Sequence, residues 1–137
     1  VNRAQERAAE AATGARGLHA LRGATTVGRD APLDLLDATR ELLRTMLARN
    51  DLDVADIVSI IFTTTRDLSS ADPSRAARDL GWDRVPLLCM SEIAVPSGLA
   101  RCVRVLMHVE TPKARGRLRG VYLRDATALR PDLAAPD

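Results

Sequence analysis

The stretch RCVRVLMHVE, Arg101–Glu110, alternates with a period of two. Read as an extended strand, it puts Val103, Val105, Met107 and Val109 on one face. A chain that spends ten residues on that pattern is building a sheet against a core, and the rest of the sequence can be read outward from there. IVSIIFTTT (Ile57–Thr65) is rich in β-branched residues and is expected as a strand buried on both faces. LHALRGATT (Leu18–Thr26) sets Leu18 and Ala20 against His19, Leu21 and Gly23, a third strand. RVPLLCM and RLRGVYL supply two more, and VPSG and TPKARG read as a turn and a loop.

Between these runs lies one long helix, RDAPLDLLDATRELLRTMLARND. Asp30 is its expected cap and Pro32 sits in its first turn. Leu35, Leu36, Leu42, Leu43, Met46 and Leu47 form its apolar stripe, and Asn50 and Asp51 end it. DPSRAARDLGW is a short second helix with Asp72 as cap, Pro73 at the first position and Gly81 as stop. RDATALRPDL near the end is a turn or a single helical turn. The fold class is therefore α/β (α+β), a five-stranded mixed sheet with two main helices. Two helices cover only one face of such a sheet, so the other is expected to pack on other subunits. Residues 17–137 form a single domain, and residues 1–16, with no bulky apolar residue after Val1, read as a mobile extension.

Composition narrows the function. The 137 residues are 46% apolar and 28% charged, ordinary for a globular domain. Phe62, Trp82 and Tyr122 are the only aromatics, so Val, Ile, Leu and Ala must build the core. The 20 basic residues, all arginine except Lys113, interleave with 18 acids for a net charge of +2. With no aromatic series to stack bases, nucleic acid is not an expected partner. No apolar run approaches the roughly 20 residues of a membrane span, and no membrane partner is expected. The two cysteines, Cys89 and Cys102, form no CxxC pair, which points to a cytoplasmic protein with reduced thiols.

Searches for familiar chemistry return little. His19, His108, Cys89 and Cys102 lack zinc-ligand spacing and make no evident Cys–His nucleophile pair. There is no GxSxG elbow, GxGxxG or GxxxxGK[ST]. What remains is Arg22 and Arg104 within apolar strands and CMSEI (Cys89–Ile93) at a strand end. Either arginine can simply face water. Equally, Glu92 can be a surface carboxylate or an acceptor for a substrate hydroxyl held between arginines.

RGATTV, TTTRDLSSADPSRAARDLGW, VPLLCMSEI, GLARCVRVLMHVET and VYLRDATALRPDL, in this order from Gly17 to Leu133, resemble one family. It is that of the monofunctional chorismate mutases of the trimeric α/β-barrel class, the AroH type. The resemblance implies a pseudo-α/β-barrel homotrimer with sites between subunits, converting chorismate to prephenate with no cofactor and no metal. By position, Arg22 and Tyr122 would hold a substrate carboxylate. Arg104 would reach the ether oxygen and a carboxylate, and Glu92 and Cys89 would meet the ring hydroxyl. Ser74, Arg75 and Arg78 would come from the adjacent subunit, and Leu129 and Arg130 would close over the site. Asp72 stands where the family commonly has a phenylalanine. The same trimeric shape is shared by enamine deaminases of the Rid type, the alternative reading, and a basic nucleic-acid-binding module is a more distant one.

Overall fold

A computed structural model describes Arg3, residues 16–96 and residues 98–134. The mobile extension expected for residues 1–16 lies, apart from Arg3 and Arg16, outside the described residues. Arg16 is bonded to the Asp56 carboxylate and the Glu110 carbonyl.

The opening stretch is the middle of the sheet. β4 (Cys102–Thr111) pairs antiparallel with β1 (Gly17–Thr26) on one side and with β2 (Ile57–Thr64) on the other. β3 (Leu87–Ser91) runs parallel to β2, and β5 (Val121–Tyr122) parallel to β1, giving the order β3-β2-β4-β1-β5. The expected mixed five-stranded sheet is present. Val103, Val105, Met107 and Val109 are all buried on the face the alternation assigned to them.

The long helix covers most of that face. α1 (Pro32–Asn50) buries Leu35, Leu42, Leu43 and Met46 completely against it. Each such side chain contributes roughly 1.5–3 kcal/mol by leaving water. The helix approaches β1 closely at Gly23, where a Cβ would lie 2.6 Å from Met46 Sδ. α1 ends as expected, with Asp51 in the left-handed region at φ 50° and the Leu52 N–H bonded to the Leu47 carbonyl. Its start differs. Ala31 is the N-cap and makes no side-chain bond, while Asp30 instead accepts hydrogen bonds from the Ser69 and Ser70 backbone N–H groups. Asp30 lies one residue too early to reach the first turn, so it ties the loop after β2 to the start of the helix.

α2 (Ser74–Asp79) starts one residue later than read, with the Asp72 carboxylate accepting from the Ser74 N–H at 2.9 Å. Gly81 stops it at φ 84°, with the Trp82 N–H closing back on the Ala77 carbonyl.

Two further expectations are corrected. β2 is not buried on both faces. Ile60, Phe62 and Thr64 face the core, whereas Val58 is exposed and Ile61 and Thr63 are half-buried, because both helices lie on the core side. RLRGVYL is a strand only at Val121–Tyr122, and its first residue closes a 3-10 turn, Arg115–Arg117. The buried Asn50 side chain takes the place of a neighbouring strand there. It accepts from the Arg119 N–H at 2.7 Å and donates to the Arg119 carbonyl at 3.0 Å. RDATALRPDL folds as a 3-10 turn, Arg124–Leu129, followed by the single turn α3 (Pro131–Ala134). Among the described residues no helix is long and apolar enough to cross a membrane.

Candidate active site

The sheet face away from α1 is where the arginines gather. Pairing of Ala24 with Arg104 and of Arg22 with Leu106 puts both guanidinium-bearing residues on the same face of adjacent strands. Side chains at such diagonal positions are within reach of one another. They wall a cleft of about 710 Å³ that also takes in Tyr122, Leu129, Arg130 and Met90. Among the described residues nothing bonds to the Arg22 guanidinium, which faces the cleft unpaired.

Arg104 is already paired. Its Nε lies 3.1 Å from Glu92 Oε1. Glu92 is the first residue beyond β3, and its N–H continues the ladder by donating to the Thr64 carbonyl at 2.9 Å. Its second oxygen, Oε2, is buried with no protein partner, an acceptor still to be satisfied. Arg104 borders both the cleft and an adjoining cavity of about 400 Å³, and Glu92 lines that second cavity.

The other wall comes from the last part of the chain. Tyr122 on β5 lies beside Ala24 and is 6% exposed. The turn after β5 brings Leu129 and Arg130 over it. Arg130 holds Asp132 through both ends of its fork, Nε–Oδ1 at 3.1 Å and Nη2–Oδ2 at 2.9 Å. That carboxylate raises the Arg130 pKa above its ordinary value, and the bond from Arg130 in turn lowers that of Asp132.

Five of the sequence-derived candidates do not line this cleft, Glu92 among them, which lines the adjoining cavity beside Arg104. Cys89 falls on the opposite pleat from Met90 and packs against the core, so its thiol does not line the cleft. Burial first, and then the neighbouring Asp72, push that thiol's pKa up. Ser74, Arg75 and Arg78 sit on α2, beside edge strand β3, and do not line this chain's cleft. Ser74 is buried and receives a long 3.4 Å bond from Arg78 Nη2. Asp72 is engaged by the Ser74 N–H and Cys89. Sequence reading missed Met90 and Asp132. The first was legible in the two-residue step from Met90 to Glu92. The second left no signal, since its importance lies only in holding Arg130.

The cleft offers two cations on rigid strands, a third at the rim and one tyrosine, with the Glu92 carboxylate behind Arg104. Such a cleft suits a small anion with more than one carboxylate. Among the described residues no group of three or more His, Cys, Asp or Glu could hold a metal ion. The Ser59 hydroxyl lies 3.2 Å from His108 Nδ1, and Cys102 is buried.

Comparison with known proteins bears on the same residues. The family described as Chorismate mutase type I matches residues 18–133. A protein named Chorismate mutase AroH from Thermus thermophilus is 48% identical over 114 residues, 82% of this chain and 93% of its own length. One of the same name from Bacillus subtilis (strain 168) is 40% identical over 118 residues, 85% of this chain and 93% of its own. A solved chorismate mutase from Clostridium thermocellum superposes with a TM-score of 0.79 at 45% identity, covering 80% of this chain and 98% of that one.

Proposed function

From the premise that the chain belongs to the type I chorismate mutase family, we propose that the cleft walled by Arg22, Arg104, Tyr122 and Arg130 is where it rearranges chorismate to prephenate. The activity is that of an isomerase, a chorismate mutase. The observation that carries the assignment of the site is Arg104, held by Glu92, on the wall of a cleft where Arg22 is unpaired.

The reaction is pericyclic: one C–O bond breaks as one C–C bond forms, and no proton changes hands. Catalysis then reduces to two demands. The flexible dianion must be held in a compact chair-like conformer, and negative charge gathering on the ether oxygen must be stabilised. Arg22 and Tyr122 grip one carboxylate. Arg104 reaches the ether oxygen and the second carboxylate, its place set by the β1–β4 register and by Glu92. Because that cation is in position before the bond breaks, it favours the transition state over the substrate. Glu92 Oε2 accepts the ring hydroxyl, and Leu129 and Arg130 close the rim. Cys89 contributes through its backbone, since its thiol points into the core.

The enzyme works as a homotrimer in the cytoplasm, with each cleft completed by Ser74, Arg75 and Arg78 of a neighbouring subunit. Two features support this. The cleft face exposes Leu18, Leu88 and Met90, and α2 carries its arginines away from its own chain's cleft. The test is loss of chorismate absorbance, with prephenate as the product, on adding purified protein with chelator and no cofactor. A chorismate signal unchanged by active-site concentrations of folded protein would overturn it. The Rid-type alternative finds no favour among the relatives.

A further inference from the structure

On the other side of the cleft from Glu92 lies a further cavity, also of about 400 Å³, that shares Arg22, Tyr122 and Arg130 with the cleft. Its far wall is the loop carrying Gly116, Arg119 and Gly120. The charge of that loop is one-sided: between Glu110 and Asp125 there are five cations and no acid. Three of the five are engaged: Lys113 bonds the Asp51 carbonyl at 3.0 Å, Arg124 faces Glu41 at 3.5 Å, and Arg119 also has a partner. Arg115 and Arg117 are exposed, and among the described residues their guanidinium groups bond to nothing. The loop is not free to wander. Asn50 holds the Arg119 backbone from both sides, and Gly120 passes so close to β1 that a Cβ would lie 3.1 Å from the Arg22 carbonyl.

We propose that this loop and cavity form a cationic vestibule that captures the doubly charged substrate and delivers it to Arg22 and Arg130. The proposal rests on the chorismate mutase reading and adds to it a place of first contact outside the reacting cleft. The physics favours capture over catalysis. Exposed guanidiniums act through a screened field that extends about 8–10 Å at moderate salt, so they need not line the cavity to act on an approaching anion. A mouth of one sign draws in ligand of the other and raises the rate of productive encounter, while leaving the bonds made in the transition state unchanged. Arg115 and Arg117 therefore belong to kcat/KM and not to kcat. A dianion feels such a field twice as strongly as a monoanion.

The test replaces both residues together, Arg115→Glu with Arg117→Glu, and in parallel both with Gln. Steady-state turnover of chorismate is measured from low ionic strength to about 0.5 M salt. At low salt the Glu pair should lose roughly tenfold in kcat/KM, and the Gln pair about threefold, with kcat within twofold of the parent. Wild-type kcat/KM should itself fall as salt rises, and the gap should close at the highest salt. Thermal melts establish that each variant is folded. A Glu pair equal to wild type at low salt, a deficit indifferent to salt, or a matching fall in kcat would each overturn the vestibule alone. Absence of turnover by the wild-type protein would overturn the functional reading, and this one with it.

Discussion

Arg104 lines the cleft with Glu92 already against its Nε, and the proposed mechanism gives the rest of its fork to the substrate. Replacing Arg104 with alanine should lower kcat a hundredfold or more, the about 3–4 kcal/mol that a preorganised donor supplies at a developing charge. Arg104→Lys should recover little, because an ammonium cannot bond Glu92 and two substrate oxygens as a planar fork does. Near-parental turnover by the alanine variant would remove Arg104 from the mechanism. Asp72 poses a different question at the same scale. A carboxylate where the family resemblance leads one to expect a phenylalanine suggests charge near a dianion, yet within its own chain Asp72 is spent on the Ser74 N–H and the Cys89 thiol. Burial and Asp72 both hold that thiol protonated. Asp72→Asn removes the negative neighbour and should speed alkylation of Cys89 by iodoacetamide at pH 8, with the burial effect persisting. An unchanged rate would show that Asp72 does not act on the thiol.

At the scale of the elements, two short polar contacts hold the strands and helices in register. Asn50 closes the end of α1 and grips the backbone of Arg119 from a buried position. Asn50→Ala leaves both Arg119 backbone groups without that partner, and should cost about 2 kcal/mol in a urea titration. A loss below about 0.5 kcal/mol would mean that solvent replaces the amide without penalty. Asp30, expected to cap α1, instead staples the loop after β2 to the helix start. The Ser70 hydroxyl beside it and the Ser69 N–H lower its pKa below the ordinary 3.8. A carboxyl depressed by folding stabilises the native state at every pH above its unfolded value. That stability disappears as the pH falls through the lower, folded value. The stability gap between wild type and Asp30→Asn should thus be constant from about pH 6 to pH 5 and shrink below 3.8. A gap that widens in acid would contradict the staple.

For the whole molecule, the proposed sharing of sites has a numerical consequence. If Arg104 comes from one subunit and Arg78 from its neighbour, Arg104→Ala and Arg78→Ala should each be nearly inactive alone. Refolded together in equal amounts, they scramble around the ring. An intact site needs an Arg78→Ala chain on one side and an Arg104→Ala chain on the other, in that order. In a cyclic trimer with random assembly this occurs at about one interface in four, so activity should return to roughly a quarter of wild type. Mixed trimers without recovered activity would place both arginines in one subunit's site.

What the sequence determined by itself is whatever depends on neighbours a few residues away. The alternation of Arg101–Glu110, the stripe from Leu35 to Leu47 and the stop at Gly81 are local patterns, and the chain obeys them. Asp30 was misread because a cap and a staple use the same acceptor, and only the distant Ser69 and Ser70 choose between them. Of the site, Arg22 and Arg104 were visible as charges in apolar strands. Their meeting on one face follows from the β1–β4 register, a pairing of residues some eighty positions apart. Cys89 shows the limit most sharply. One step along β3 separates a side chain in the core from one in the cleft, and the pleat is phased by pairing Phe62 with Cys89 and Thr63 with Met90. No local pattern sets that phase: it is decided when the strands dock and the face that buries more apolar surface turns toward α1.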